Sequence, residues 1–195
     1  MAHYEKAHAM RALEEEIIAK NITPELAEQA LRLVMGDGNL NAEIMLIGEA
    51  PGKKEDEQGL PFVGASGKFL DAMLDAADIK REDVYITSIV KYRPPNNRDP
   101  STEEKAAFLP YLLKQIDIIQ PKVIITLGRH SMEYFLPGVT ITDIHGQIQQ
   151  VDVGGRSVQV APLYHPAAAL YNGSLRQTLI DDFLQVANTI KKTEI

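Results

Sequence analysis

Apolar residues along the chain follow two patterns that alternate with each other. Near-continuous apolar runs of strand length cover residues 42–47, 84–90 and 122–127. Helical spacing of apolar residues, three or four positions apart, covers residues 5–20, 24–35, 66–77, 101–119, 130–135 and 174–192. Continuous runs are typical of parallel strands that are buried on both faces, and amphipathic helices cover such sheets. The pattern therefore predicts an α/β fold: a three-layer α/β/α sandwich with a central, mostly parallel, four-stranded sheet.

Local signals place the remaining elements. Two β-branched segments, 148–153 and 157–163, flank Gly154-Gly155, which predicts a hairpin whose second strand joins the main sheet. Ser101 and Glu104 have the spacing of a capping box, and Thr23 is suited to cap the helix that begins at Pro24. A length of 195 residues suits one domain, 1–195, with residues 1–35 as a helical extension packed on it.

The amino-acid composition and net charge exclude several kinds of chemistry and several kinds of partner. The chain has no cysteine, which rules out disulfides, a thiol nucleophile and any thiolate-held cluster. No apolar run approaches the roughly 20 residues that span a bilayer, and the N-terminus lacks a signal-peptide core, so we expect a cytoplasmic protein without a membrane partner. The net charge of -7 argues against non-specific coating of nucleic acid, although residues 91–98 form a basic segment.

Polar side chains follow the predicted strand ends, at Glu49, Lys91, Arg129 and His165. Ligands in open α/β sheets bind outside the carboxyl ends of the strands, so these positions predict one site. A carboxylate at Glu49 can orient water or stabilise a cation, and a neutral imidazole at His165 can donate to an oxygen that gains charge. Phe62 lies in a glycine-rich loop and is suited either to packing or to stacking on a planar ring.

Other candidates are weaker. Residues 64–68 are similar to part of a phosphate-binding loop, but Phe62 and Phe69 occupy positions at which that loop requires glycine and a hydroxyl, so we reject it. The carboxylates of residues 55–57 are equally well explained as a solvated loop. Four other histidines are interpreted as solvated or structural, and no spacing indicates a metal site; they are His3, His8, His130 and His145.

Four motifs carry a resemblance to a known family. GEAPG at 48–52, GLPFVG at 59–64, KYRPPNNR at 91–98 and YHPA at 164–167 resemble the family four uracil-DNA glycosylases, from about Gly36 onward. The resemblance implies a monofunctional enzyme that hydrolyses the bond between uracil and deoxyribose in DNA, acting on an extruded base.

The resemblance also implies roles for residues. The catalytic pair would be Glu49 and His165. The base or sugar would be contacted by Gly48, Ala50, Pro51, Gly52, Asp56, Phe62 and Ser88. DNA would be contacted by Lys91, Arg93, Asn97, Arg98, Pro166, Ala167, Leu170 and Arg176. Lys91, Arg93 and Arg98 would approach phosphates, and Leu170 would enter the duplex where the base was.

The chain departs from the family in two informative ways. Members usually hold a four-iron, four-sulfur cluster, but here Tyr92 and Phe108 occupy two of the cysteine positions, and the other two fall near Asn21 and Pro24. We therefore expect no cofactor, with aromatic packing in its place. Ser88 replaces the usual base-reading Asn, which puts uracil specificity in question, since a serine offers one short hydroxyl.

Three hypotheses follow. The first is a glycosylase acting on DNA that contains uracil or a related damaged base, as a monomer, in base-excision repair. The second is a module that binds DNA or a base with weak or no cleavage because of Ser88. The third is a small-molecule enzyme on the same scaffold, since fold alone does not determine function. No His lies between Lys91 and Ser101, so we expect no covalent trapping of DNA there.

Overall fold

A six-stranded sheet forms the centre of the computed structural model, which describes residues 3–192. Its strands are β1 (Asp37–Gly38), β2 (Ile44–Gly48), β3 (Tyr85–Ser88), β4 (Val123–Leu127), β5 (Gln149–Val153) and β6 (Arg156–Leu163). The strand order is β1-β3-β2-β4-β6-β5. The four inner strands are mutually parallel, as predicted, and antiparallel β1 and β5 extend the edges, so the sheet has six strands rather than four.

Helices cover both faces of this sheet. They are α1 (His3–Ala19), α2 (Pro24–Ala27), α3 (Lys53–Gln58), α4 (Ala65–Ala76), α5 (Thr102–Ile119), α6 (Arg129–Met132), α7 (Ile141–Ile144), α8 (Ala168–Tyr171) and α9 (Gly173–Lys192). One apolar core joins the sheet to α1 and α5, and a second joins the other face to α4 and α9. The three-layer α/β/α prediction is confirmed. Among the described helices, none combines the length and apolarity needed to cross a membrane.

Alternate residues of the inner strands supply the two cores. In β2, Met45 and Ile47 belong to the core beneath α1 and α5, whereas Leu46 belongs to the core beneath α4 and α9. Successive side chains of a strand point to opposite faces, so a strand buried on both sides must be apolar at every position. This explains why the strands appear in the sequence as continuous apolar runs.

The predicted helix over residues 24–35 is wrong beyond Ala27. The Asp56 carboxylate accepts from the backbone N–H groups of Leu31 and Arg32 at 2.8 and 3.1 Å. The Val34 N–H donates to the Lys91 carbonyl at 2.8 Å. Backbone groups that a helix would have paired internally are paired here with distant residues, so the segment beyond Ala27 is not helical. Thr23 also makes no side-chain cap, contrary to expectation.

The capping box of α5 is confirmed. The Glu104 N–H donates to Ser101 Oγ at 3.2 Å, and the Ser101 N–H donates to Glu104 Oε2 at 2.7 Å. Two of the free N–H groups at the helix start are satisfied in this way. Helix α5 therefore begins at Thr102, separated by three residues from the basic segment 91–98, and Glu104 of the helix pairs with Arg98 at the end of that segment.

Candidate active site

A pocket of about 600 Å³ opens at the carboxyl ends of the parallel strands. The loop after β2 forms one wall, and residues that follow β3 and β6 form the others. Eleven of the residues predicted from the sequence line it: Glu49, Ala50, Pro51, Gly52, Phe62, Ser88, Asn97, Arg98, His165, Ala167 and Leu170. Residues separated by more than 100 positions in the chain are thus brought to one edge of the sheet, as the rule for open α/β sheets predicts.

The loop that carries Phe62 is held by Glu55. The N–H groups of Val63 and Gly64 both donate to Glu55 Oε1 at 2.8 Å. Phe62 itself has a φ of 51°, in the left-handed region that large residues rarely adopt. Glu55 lies on α3, a helix that the sequence had indicated only as part of a loop. Its role is to fix an unusual backbone conformation, and its charge is not solvated.

Two glycines allow Phe62 to sit where it does. A Cβ at Gly48 would lie 2.7 Å from the Phe62 ring, and a Cβ at Gly67 would lie 1.9 Å from the Phe62 carbonyl oxygen. Gly48, predicted to touch substrate, therefore backs the Phe62 ring. The Phe62 ring also stacks with His165, with centroids 5.7 Å apart and planes inclined by 28°.

His165 is set up as a neutral hydrogen-bond donor. Its Nδ1 accepts from the Ala167 N–H at 3.1 Å, so a neutral ring carries its proton on Nε2. Burial lowers the pKa of His165 to about 4, against an opposing effect of Glu55. The imidazole is therefore uncharged at neutral pH, with Nε2–H as its free donor. A donor of this kind can stabilise an oxygen that gains negative charge without having to lose a proton first.

The Glu49 carboxylate is partly buried and lies close to several charged side chains. Burial raises the pKa of its carboxyl group, and nearby Asp99 raises it further, while His130, Arg129 and Lys105 oppose these effects. His130 Nε2 lies 3.8 Å from Glu49 Oε2 and 3.2 Å from Asp99 Oδ2. Sequence reasoning missed both neighbours. His130 had a usable signal, since it follows the end of β4; Asp99 had none.

Ser88 ends β3 directly beside Gly48 of β2. It is almost fully buried and lines the pocket. Its hydroxyl is close to the Phe62 and Gly48 region, since a Cβ on Gly48 would lie 3.5 Å from Ser88 Oγ. The side chain is short, so more of the pocket is left open than a longer amide would leave.

Two predicted contacts are corrected by the structure. Lys91 is 0% exposed, and its ammonium donates to Ser88 O at 2.5 Å, Gln115 Oε1 at 2.6 Å and Thr87 Oγ1 at 2.7 Å. It cannot approach a phosphate from there. Asp56, predicted to contact substrate, is buried and accepts the backbone N–H groups of residues 31 and 32. Both residues support the site from inside the protein.

Only some of the predicted DNA contacts line the pocket, namely Asn97, Arg98, Ala167 and Leu170. Arg93 Nε donates to Asn97 Oδ1 at 2.7 Å, and Arg98 pairs with Glu104 at 2.6 Å. Leu170 is 44% exposed and Tyr171 is 90% exposed, side by side on α8. Pro166 is buried, and Arg176 lies over the Phe69 ring, 4.4 Å from its centroid, away from the pocket lining.

The fold and site define a protein of the α/β class with a strand-end pocket that combines a carboxylate, an aromatic ring and a neutral imidazole. Residues 35–188 match the model of the uracil DNA glycosylase superfamily. The chain therefore belongs to the uracil-DNA glycosylase superfamily.

Relatives with curated names agree with this assignment. The chain is 46% identical over 168 residues to the type-4 uracil-DNA glycosylase of Saccharolobus solfataricus, covering 83% of this chain and 78% of the relative. It is 44% identical over 166 residues to the type-4 enzyme of Archaeoglobus fulgidus, covering 83% of each chain. A type-5 uracil-DNA glycosylase of Pyrobaculum aerophilum is 30% identical over 148 residues.

The iron–sulfur cluster implied by the resemblance does not fit the residues present. The chain has no cysteine to hold it. Tyr92 and Phe108, at two of the ligand positions, are buried in the core beside α5, with ring centroids 6.0 Å apart and an edge-on arrangement. Such a pair favours packing by its ring quadrupoles as well as by its buried area. Aromatic packing therefore occupies the region in which thiolate ligands would be needed.

Proposed function

We propose that the protein is a monofunctional uracil-DNA glycosylase that hydrolyses the N-glycosidic bond of uracil, or of a related damaged base, in DNA during base-excision repair. The observation that carries the proposal is the convergence of Glu49, Phe62 and His165 on one pocket. The names of the type-4 relatives support the same reaction. As further predictions, we expect a cytoplasmic monomer.

The pocket suits an extruded base. A base inside a duplex is out of reach of these side chains, so it must leave the stack first. Phe62 then offers a rigid, pre-positioned ring against which the base stacks, and Glu55 holds that ring in place through the loop backbone. His165 Nε2–H donates to a base oxygen as the departing base gains negative charge.

Glu49 acts on the sugar side. As the bond between the base nitrogen and the sugar carbon breaks, the electron pair leaves with the base and the sugar becomes cation-like. The Glu49 carboxylate stabilises that charge and orients the water whose oxygen forms the new bond to the sugar, and the water proton passes to the carboxylate or to solvent. Since only the ionised form does this, we expect activity to fall as pH drops through the raised pKa of Glu49.

DNA contacts belong to the rim. Arg93 and Arg98 supply positive charge near the mouth of the pocket. Leu170 and Ala167 also line the pocket, where they can fill the gap left by the base. Because the total charge is -7, we expect this local patch, and not general attraction, to bring the strand to the pocket.

The direct test is release of free uracil from single- and double-stranded oligonucleotides that contain it. We expect release by the wild-type protein and a loss of roughly a hundredfold or more in Glu49→Gln and His165→Ala, the scale typical of lost acid–base or charge-stabilising groups. Folded protein that binds the DNA at high concentration and releases nothing would contradict the proposal and indicate a binding module.

Base specificity is tested at Ser88. If Ser88 lies at the base edge, Ser88→Asn restores a donor and an acceptor, and uracil excision rises about tenfold or more, which corresponds to one well-made hydrogen bond. Oligonucleotides with other deaminated bases, tested in parallel, show whether the serine enzyme accepts a wider range. Equal rates for Ser88→Asn and wild type on every base would place Ser88 away from the edge.

A further inference from the structure

Three side chains from separate parts of the chain, His130, Asp99 and Lys105, meet beside Glu49. His130 on α6 lies with Nε2 3.2 Å from Asp99 Oδ2 and 3.8 Å from Glu49 Oε2. On its other side, His130 Nδ1 lies 3.3 Å from the Lys105 ammonium of α5. The His130 side chain is only 12% exposed, compared with 62% for Asp99. An imidazole is thus largely enclosed between a cation and two carboxylates.

Both ring nitrogens of His130 have a cationic neighbour. The Lys105 ammonium lies 3.3 Å from Nδ1, and Arg129 Nε donates to Nε2 at 3.3 Å. The Nε2 edge of the ring also faces Asp99 and Glu49, and the Arg129 guanidinium donates to Asp99 Oδ2 at 3.1 Å. The ring is therefore held at both edges, with its Nε2 edge turned toward the two carboxylates.

The same groups argue against a metal ion at this place. The ligand atoms of Glu49, Asp99 and His130 lie within 4.8 Å of one another, a spacing compatible with a cation. However, the Arg129 guanidinium already pairs with Asp99 Oδ2 at 3.1 Å, and the Lys105 ammonium lies 3.3 Å from Nδ1 of the same histidine. Cationic side chains already surround the three groups, which is the arrangement of a positioning network.

We propose that His130 is a positioning residue that holds the Glu49 carboxylate toward the pocket. The inference rests on the proposed function, in which Glu49 acts on the sugar and water. At 3.8 Å the contact is electrostatic and not a formed hydrogen bond. Catalytic contacts are often long in the absence of substrate and shorten in the complex. Asp99 and Lys105 orient the ring, and the ring in turn orients Glu49 and favours its charged form.

The charged groups that face the ring are Lys105, Glu49, Asp99 and Arg129, and Glu133 contacts Lys105 at 3.5 Å. Among the influences on Glu49, that of His130 is the largest that lowers its pKa. Removing the ring should therefore move the acid limb of the pH–rate profile to higher pH. A residue that merely fills space would lower the rate without moving that limb.

The experiment measures single-turnover excision of uracil against pH for wild type, His130→Phe and His130→Gln. We expect His130→Phe to be about tenfold slower at neutral pH, with its acid limb raised by about half a pH unit or more. His130→Gln retains an amide N–H. We therefore expect its excision rate and the position of its acid limb to lie between those of His130→Phe and wild type. The matched control is His145→Gln: His145 is also partly buried and pairs with a carboxylate, Asp182, at 2.6 Å, but it lies outside the pocket lining.

A second measurement does not require turnover. Titration of the Glu49 carboxyl carbon by NMR should show a higher pKa in His130→Phe than in wild type, with thermal unfolding as the check on folding. An unchanged Glu49 titration and an unmoved acid limb in folded His130→Phe would overturn the inference. Absence of uracil release by the wild type would instead overturn the proposed function, and the NMR titration would still decide whether His130 controls Glu49.

Discussion

At the scale of single residues, the chemistry of a side chain was visible in the sequence, but its partner was not. Glu55 illustrates this, because it lies in a run of acidic residues that is equally typical of a solvated loop. In the structure it accepts two backbone N–H groups at the turn that follows Phe62. Glu55 thus supports the predicted site, although the sequence left its role undecided.

Two substitutions of Glu55 distinguish its role as a hydrogen-bond acceptor from its role as a negative charge. In Glu55→Ala, the N–H groups of Val63 and Gly64 lose their acceptor, at a penalty of roughly 1–3 kcal/mol for the loop. We expect kcat/KM for uracil excision to fall about tenfold or more, mainly through a higher KM, because Phe62 is no longer held. Glu55→Gln keeps an oxygen acceptor and should retain most of the activity.

Glu57→Ala is the control, since Glu57 lies on the same helix and its carboxylate pairs with the exposed lysines Lys53 and Lys54. Excision kinetics and urea unfolding of the three variants are compared. Equal loss in Glu55→Ala and Glu57→Ala would show that charge on α3, and not the loop hydrogen bonds, is what matters.

At the scale of elements, the short segments around the pocket differ most from expectation. Helix α3 occupies a stretch predicted as loop, and the predicted helix after Pro24 ends at Ala27. Helix α8 presents Leu170 and Tyr171 to solvent beside the pocket. Short elements contain too few residues for periodicity to identify them, and their conformation depends on what they contact.

Leu170, the exposed leucine of α8, predicts a difference between double-stranded and single-stranded DNA as substrates. If Leu170 fills the space left by the extruded base, Leu170→Ala should lower excision from double-stranded DNA by roughly tenfold, the value of a few buried methyl groups. Excision from single strands, which have no such gap, should change little. The measurement is the ratio of double- to single-strand rates.

Leu113→Ala provides the matched comparison, because Leu113 is 42% exposed and lies on α5, outside the pocket lining. The ratio of double- to single-strand excision rates in Leu113→Ala should equal that of wild type. A Leu170→Ala variant with equal loss on both substrates would argue against a wedge and for a general binding role.

At the scale of the whole molecule, Lys91 links the site to the interior. Its ammonium joins Thr87 on β3 to Gln115 on α5, and both of those side chains donate to the Met35 carbonyl, at 2.7 and 2.8 Å. The network ties the segment before β1, the sheet and α5 together beneath the pocket. A positive charge at this position serves the fold, although in the sequence it appears as the first residue of a basic segment.

The buried lysine predicts a dependence of stability on pH. Burial lowers the pKa of Lys91 from its ordinary 10.5 to about 7. Above pH 7 the unfolded chain therefore binds a proton that the folded protein has released, so the contribution of Lys91 to stability rises with pH up to about 10. The rise is at most about 1.4 kcal/mol per pH unit.

Urea unfolding at pH 7 and pH 9 checks this, with Lys91→Met as the test and Lys114→Met, on the surface of α5, as the control. The gain in unfolding free energy between the two pH values should be smaller in Lys91→Met than in wild type and unchanged in Lys114→Met. An equal gain in all three proteins would mean that Lys91 stays charged, through its three oxygen acceptors, up to high pH.

The alternation of continuous apolar runs with helical spacing, together with polar residues at strand ends, determined the three layers, the four parallel strands and the position of Glu49, Phe62, Ser88 and His165. These features follow from the spacing of apolar residues along the chain and from the common direction of parallel strands. Both can be identified from residues that are consecutive in the sequence. Only the tertiary structure decided which polar groups face the pocket and which support it. Lys91 reaches Gln115, Asp56 reaches the backbone of residues 31 and 32, and His130 meets Glu49, each across 24 or more positions of the chain, and no local pattern encodes such encounters. Glu55 holds the turn after Phe62, eight and nine residues further along, in a loop that has no periodic signal.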